Sequence, residues 1–274
     1  MTRIRFQSPL SEGNFTRADV EAKIVETLNQ DDLNLISMPN IQAVIYRPPT
    51  SPSWLKGLAA AVETGQLRIQ RVALANVTID EIATWLDNEL PPDTAPSELY
   101  ALLKQEILGL VECECLLTGA SRFILRIFTE SPTLRCGFHV DTAVPRAPAV
   151  GLLRVFNGPG TKYVDPANIT NMRDFYRYLS QRERLGKELE KASKQGDIET
   201  VQATSSQIES LEMKPGFLLD PEDIREVAAG AIIAFKHVDI RHHWSNHPKN
   251  LAWVHSSPSE GVTRLVVNVT AHEQ

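Results

Sequence analysis

The chain has 274 residues, 42% hydrophobic and 23% charged, with 34 acidic against 28 basic side chains for a net charge of −6. This is the profile of a soluble globular protein, which excludes collagen-like, low-complexity and mainly disordered classes, and the acidic balance opposes a nucleic-acid partner. No apolar run reaches the roughly 18 residues a membrane helix needs, no apolar stretch follows Arg3 and Arg5, and three cysteines do not make a disulfide framework, so a reduced, cytoplasmic protein without membrane insertion is expected.

Residues 1–120 read as a mainly helical N-terminal region. Apolar spacings of three and four predict helices over Arg17–Leu28, Ser53–Thr64, Ile79–Leu90 and Ser97–Leu117, with Thr78 as an N-cap and Pro91-Pro92 as a stop. Ile41–Tyr46 is β-branched and reads as a strand. Cys113 and Cys115, one residue apart near the end of the fourth helix, read as ordinary half-buried thiols.

From 121 to 274 the period changes to two. Strands are predicted over Phe123–Phe128, Cys136–Val140, Gly151–Phe156, Ala231–Lys236, Leu251–His255 and Arg264–Val269. Residues 171–214 interrupt them with helical spacing and a turn at Gly196-Asp197, a helical hairpin inserted between strands. It is expected either to cap the β-domain or to serve as a protein-interaction or homodimerisation arm. The fold class is therefore α+β, an N-terminal helical layer packed on a β-domain as one compact unit.

Five of the seven histidines fall between His237 and His255. Seven His and 13 Asp over 274 positions predict roughly 0.3 His-x-Asp by chance, yet there are two, His139-Val-Asp141 and His237-Val-Asp239. A two-His-one-carboxylate centre needs its second His from a different strand. Between Asp141 and His255 lie several strands and the hairpin; between Asp239 and His255 lie only 15 residues, little more than a loop and a strand. The ligand set is thus expected to be His139, Asp141 and His255. The loop histidines His242, His243 and His247, with His237, read as a polar surface or a Zn(II) cluster. Arg264 opens an apolar strand whose period also sets Val266 and Asn268 on its face, a fixed donor for a carboxylate ligand.

Other chemistries lack their signatures. Gly158-Pro-Gly-Thr-Lys162 is not a P-loop, no G-x-S-x-G elbow occurs, and Asp31-Asp32 and Glu222-Asp223 read as acids at helix starts or in loops.

The pattern His139-x-Asp141, a distal His255 and Arg264 nine positions on resembles the Fe(II)/2-oxoglutarate-dependent oxygenase superfamily, as do Gly151–Tyr163 and Gly230–Phe235 around it. More narrowly, Gly137-Phe-His-Val-Asp141, Gly158-Pro-Gly-Thr161 and Val254-His-Ser-Ser-Pro258 followed by Thr263-Arg-Leu265 are similar to a bacterial domain-of-unknown-function family. The resemblance covers roughly residues 120–270 without the hairpin. It implies a double-stranded β-helix, or jelly roll, with His139, Asp141 and His255 as iron ligands and Arg264 on the distal carboxylate of 2-oxoglutarate. It also implies O2-dependent oxidation of a small-molecule or peptide substrate coupled to release of succinate. A cupin-like Zn(II)- or Fe(II)-binding protein without turnover, or an interaction module working through the hairpin, are the alternatives.

Overall fold

The computed structural model describes residues 22–90, 97–132, 137–143, 146–239 and 252–273. In chain order come β1 (Lys23–Thr27), a 3-10 helix (Gln30–Ser37), β2 (Ile41–Tyr46), α1 (Trp54–Glu63), β3 (Val72–Val77), α2 (Ile79–Glu89), α3 (Ser97–Thr118) and β4 (Arg122–Glu130). Then follow β5 (Thr142–Ala143), β6 (Val150–Val155), β7 (Lys162–Val164), a 3-10 turn (Pro166–Asn168), α4 (Met172–Gln195), α5 (Ile198–Met213), β8 (Ile224–Glu226), β9 (Ile232–Lys236), β10 (Val238–Asp239), β11 (His255–Ser256) and β12 (Arg264–Glu273).

Local chemistry sets most of these boundaries. Thr78 caps α2 in a capping box: its hydroxyl accepts from the Glu81 N–H while the Glu81 carboxylate accepts from the Thr78 N–H. Gly196 ends α4 at φ 70°, a left-handed position that suits glycine, and the Asp197 carboxylate accepts from the Thr200 N–H to start α5. A helical hairpin therefore forms over Met172–Met213. The helix predicted over Arg17–Leu28 does not: Lys23–Thr27 is a strand, paired parallel to β2, and residues 17–21 lie outside the described residues. Ile24, Val25 and Thr27 are β-branched, and the pairing edge of β2 overrides a spacing that also fits a helix.

A seven-stranded sheet runs β1-β2-β9-β6-β12-β4-β3, antiparallel except for β1 with β2. Strands from the first 120 residues thus flank strands from the rest. Period two separates its faces. Leu125, Ile127, Leu152, Val267 and Val269 pack against the helices through Leu58, Leu86, Leu103 and Ile107. Phe128, Leu153, Val155, Ile233, Phe235 and Val266 point the other way, onto Tyr163 and Trp253 beside a three-stranded sheet of order β11-β7-β8. Each large apolar side chain buried there contributes about 1.5–3 kcal/mol. Phe175 and Tyr178 of α4 close the far side against Phe138, Phe217 and Val254.

Candidate metal centre

His139 and His255 face each other across an isolated antiparallel bridge. The His139 N–H donates to the His255 carbonyl at 2.8 Å, the reverse bond is 3.0 Å, and the rings stand 4.3 Å apart. No regular strand forms around His139: of the strand predicted over Cys136–Val140, this bridge is what is found, and Cys136 lies outside the described residues. The Tyr178 hydroxyl accepts from the Phe138 N–H at 3.0 Å and donates to Glu212, so both helices of the hairpin tie down the residue before His139. Trp253 stacks on the His255 ring at 4.5 Å. Asp141 comes within 3.6 Å of His139 Nε2, and one ligand atom from each of His139, Asp141 and His255 lies within 4.8 Å of the others.

The donor set fits a divalent cation. A carbonyl oxygen can only accept, so His139 Nδ1, 2.8 Å from the Gly137 oxygen, and His255 Nδ1, 3.1 Å from the Trp253 oxygen, each carry the ring proton. Both Nε2 lone pairs are thereby committed to the side where Asp141 sits. Burial, with His139 adding to it, lowers the His255 imidazole to about 3, the neutral form that ligates. Burial pushes Asp141 up, but His255, His139, His237 and Arg126 outweigh it and hold the carboxyl below its ordinary value.

The three residues line a cavity of about 220 Å³. Arg264 lines it too, with its guanidinium already paired to protein groups. Nη2 and Nε donate to Glu130 Oε1 at 2.5 and 3.1 Å, and Nη2 also to Ser257 Oγ at 2.8 Å, with the arginine side chain 4% exposed. The two are register partners of the β12/β4 ladder.

Sequence reasoning missed two further residues of this wall. Arg126, on the Glu130 face of β4, donates to Asn268 Oδ1 at 3.1 Å. His237 is 3% exposed and neither of its ring nitrogens has a partner among the described residues. Gly151 leaves it room, since a Cβ there would stand 2.7 Å from Nε2. The second His-x-Asp was the available signal for His237. The side chain of Asp239, and His242, His243 and His247 altogether, lie outside what is described, and with them the expected Zn(II) cluster.

Elsewhere the chemistry is quieter. A groove of about 1040 Å³ between α2, α3 and the sheet holds the Arg154–Glu106 ion pair, a charge already balanced. Cys113, pushed up to about 11 by burial and then by Glu114, and the exposed Cys115 are free thiols on α3, away from the cavity. No helix among the described residues is long and apolar enough to cross a membrane.

The molecule is thus a mixed α+β chain with a large, mostly antiparallel sheet and, among the described residues, one His-Asp-His group able to hold a metal ion. It belongs to the family described as "Protein of unknown function (DUF1826)", which matches residues 28–269. No curated protein matches it. Among solved structures it is similar to the dioxygenase for auxin oxidation from rice (10% identity, 92% of this chain and 83% of that one, TM-score 0.42). It is also similar to the Arabidopsis thaliana dioxygenase for auxin oxidation 1 in complex with 2-oxoglutarate (10%, 92% and 93%, 0.43). A third is a Pseudomonas putida prolyl-4-hydroxylase (12%, 89% and 96%, 0.37). Superpositions this loose add nothing to the site, whose reading rests on its own side chains.

Proposed function

We propose that this protein is an Fe(II)- and 2-oxoglutarate-dependent oxygenase of the hydroxylase type, an oxidoreductase acting on a small-molecule or peptide substrate. The observation that carries this is the pair of histidines whose tautomers are preset by backbone carbonyls, both offering Nε2 beside Asp141 in a cavity walled by arginines. The strand order supports a jelly-roll reading of residues 121–274, with β9-β6-β12-β4 opposed to β11-β7-β8 and the His139 bridge, and the hairpin 171–214 as an insert.

His139, Asp141 and His255 would hold the iron, and three protein ligands leave coordination positions for other molecules. Bound Fe(II) supplies O2 activation coupled to decarboxylation of the co-substrate. This chain's own groups do the rest. The neutral His255 and the ionised Asp141 are in the forms that ligate at neutral pH, and Trp253 and Phe235 keep water from the His255 side. Arg264 takes the distal carboxylate of 2-oxoglutarate, which exchanges for Glu130 while Ser257 keeps the guanidinium in place.

Adding 2-oxoglutarate anaerobically to the Fe(II)-loaded protein should give a metal-to-ligand charge-transfer band, and admission of air should release succinate. A protein that binds Fe(II) and shows neither is not this enzyme. The closed Arg264–Glu130 pair favours one other reading, a cupin-like Zn(II)- or Fe(II)-binding protein without turnover, and succinate release separates the two.

A further inference from the structure

The charges around the cavity do not balance once a cation is bound. Arg264 and Glu130 neutralise each other. Arg71 is exposed, its guanidinium carbon 4.4 Å over the Phe128 ring. Arg126 is half-buried, and its acceptor, the Asn268 amide oxygen, is neutral and already accepts from Thr270 Oγ1 at 3.2 Å. The other acid lining the cavity with Arg126 is Asp141. As a metal ligand Asp141 is more than cancelled by a divalent cation, which leaves a guanidinium beside a centre of its own sign. The buried imidazole of His237 lines the same wall without a partner among the described residues, a second polar group that needs one.

We propose that Arg126, braced by Asn268, is a second carboxylate-binding residue of this cavity, and that the ligand entering beside the metal is a small organic dianion held by Arg126 as well as by the metal. This rests on the proposed metal centre and deepens it, since the resemblance assigns a carboxylate to Arg264 and nothing to Arg126. The planar fork of Arg126 keeps donors for a carboxylate after the bond to Asn268. An acid with two negative charges offsets the excess left by the cation and Arg126 together. His237 can then donate to, or accept from, the ligand's remaining polar atoms.

Calorimetric titration of the Mn(II)-loaded protein with 2-oxoglutarate and with pyruvate, which lacks the distal carboxylate, tests this without turnover. Arg126→Gln should weaken 2-oxoglutarate about 10- to 100-fold, the scale of a lost charged hydrogen-bond pair, with no loss of Mn(II) affinity, and Arg126→Lys should recover part of it. An equal loss for pyruvate puts Arg126 on the carboxylate next to the oxo group. A loss for 2-oxoglutarate alone puts it on the distal one. Wild-type affinity of Arg126→Gln for both acids overturns the assignment and leaves the metal centre standing. A wild-type protein that binds neither acid overturns the oxygenase reading, and Arg126's role with it.

Discussion

Replacing Glu130 by Gln should lower stability and raise co-substrate affinity, two effects of opposite sign from one atom exchange. Glu130 Oε1 accepts from both Nε and Nη2 of Arg264, and that arginine side chain is 4% exposed. Removing one partner of a buried ion pair outright costs about 3–5 kcal/mol. Gln keeps the shape and one acceptor oxygen, so the loss is nearer that of a charged hydrogen bond made neutral, about 1–3 kcal/mol. For a chain of this size that lowers the melting temperature by roughly 3–10 °C. Under the proposed function, the same exchange removes the internal carboxylate that 2-oxoglutarate would have to displace from Arg264, and each 1.4 kcal/mol no longer spent on displacement is about tenfold in Kd. Thermal melts of the apo-protein and anaerobic titration of the Fe(II) protein read the two effects separately. A variant that is destabilised and also binds 2-oxoglutarate no tighter than wild type would show that the Arg264–Glu130 pair is only a brace between β12 and β4.

Asp141→Ala should abolish tight Fe(II) binding in metal titrations, whereas Asp239→Ala should leave it nearly intact; equal losses would refute the choice between the two His-Val-Asp copies. Burial lifts the Glu114 carboxyl to about 8, only partly offset by the Ala271 N–H, so the folded protein keeps a proton that the unfolded chain gives up above its ordinary value of 4.5. Unfolding therefore becomes easier as pH rises between those values, by at most about 1.4 kcal/mol per pH unit. Melts from pH 5 to 8.5 should show Glu114→Gln losing less stability than wild type, and parallel curves would refute this. At Gly160 an added Cβ would stand 1.5 Å from the Val227 carbonyl oxygen, a backbone atom that cannot swing away, so Gly160→Ala should cost about 3 kcal/mol in chemical denaturation. Thr78→Ala, which removes the hydroxyl half of the α2 capping box, should cost about 1 kcal/mol by the same measurement.

What could be read from the sequence was what local pattern encodes. Helices α1, α2 and α3, the hairpin with its Gly196 turn, and the strands β2, β6, β9 and β12 carry their period and end signals within their own residues. The three members of the metal group could be named because His-x-Asp is over-represented and chain reach discriminates between its copies. Glu130 could not be paired with Arg264, because which residue of β4 stands opposite Arg264 is a matter of register between strands 134 residues apart. The strand at Lys23–Thr27 was hidden for a related reason: its β2 partner, not its own spacing, decides its conformation.

The same principle explains why two identical tripeptides have different fates. β5 and β10 run parallel, with Val238 opposite Thr142, and the Val238 N–H donates to the Asp141 carbonyl at 2.8 Å. Had the copies aligned residue for residue, His237 would stand level with His139 and Asp239 with Asp141. The ladder is instead offset by two, so that His237 comes level with Asp141 and Asp239 with Ala143. An offset of two preserves which face each residue occupies and changes only its depth along the strand. The imidazole of the second copy is therefore delivered to the wall of the cavity, while the backbone position of its aspartate is carried two residues past the ligand set. Chain reach selected His139, Asp141 and His255, which the fold brings together, but could not reveal that His237 returns to the site, since the 15-residue limit constrains Asp239 against His255 and says nothing of His237 against Asp141. In this fold the second copy brings to the cavity wall an imidazole that has no partner among the described residues.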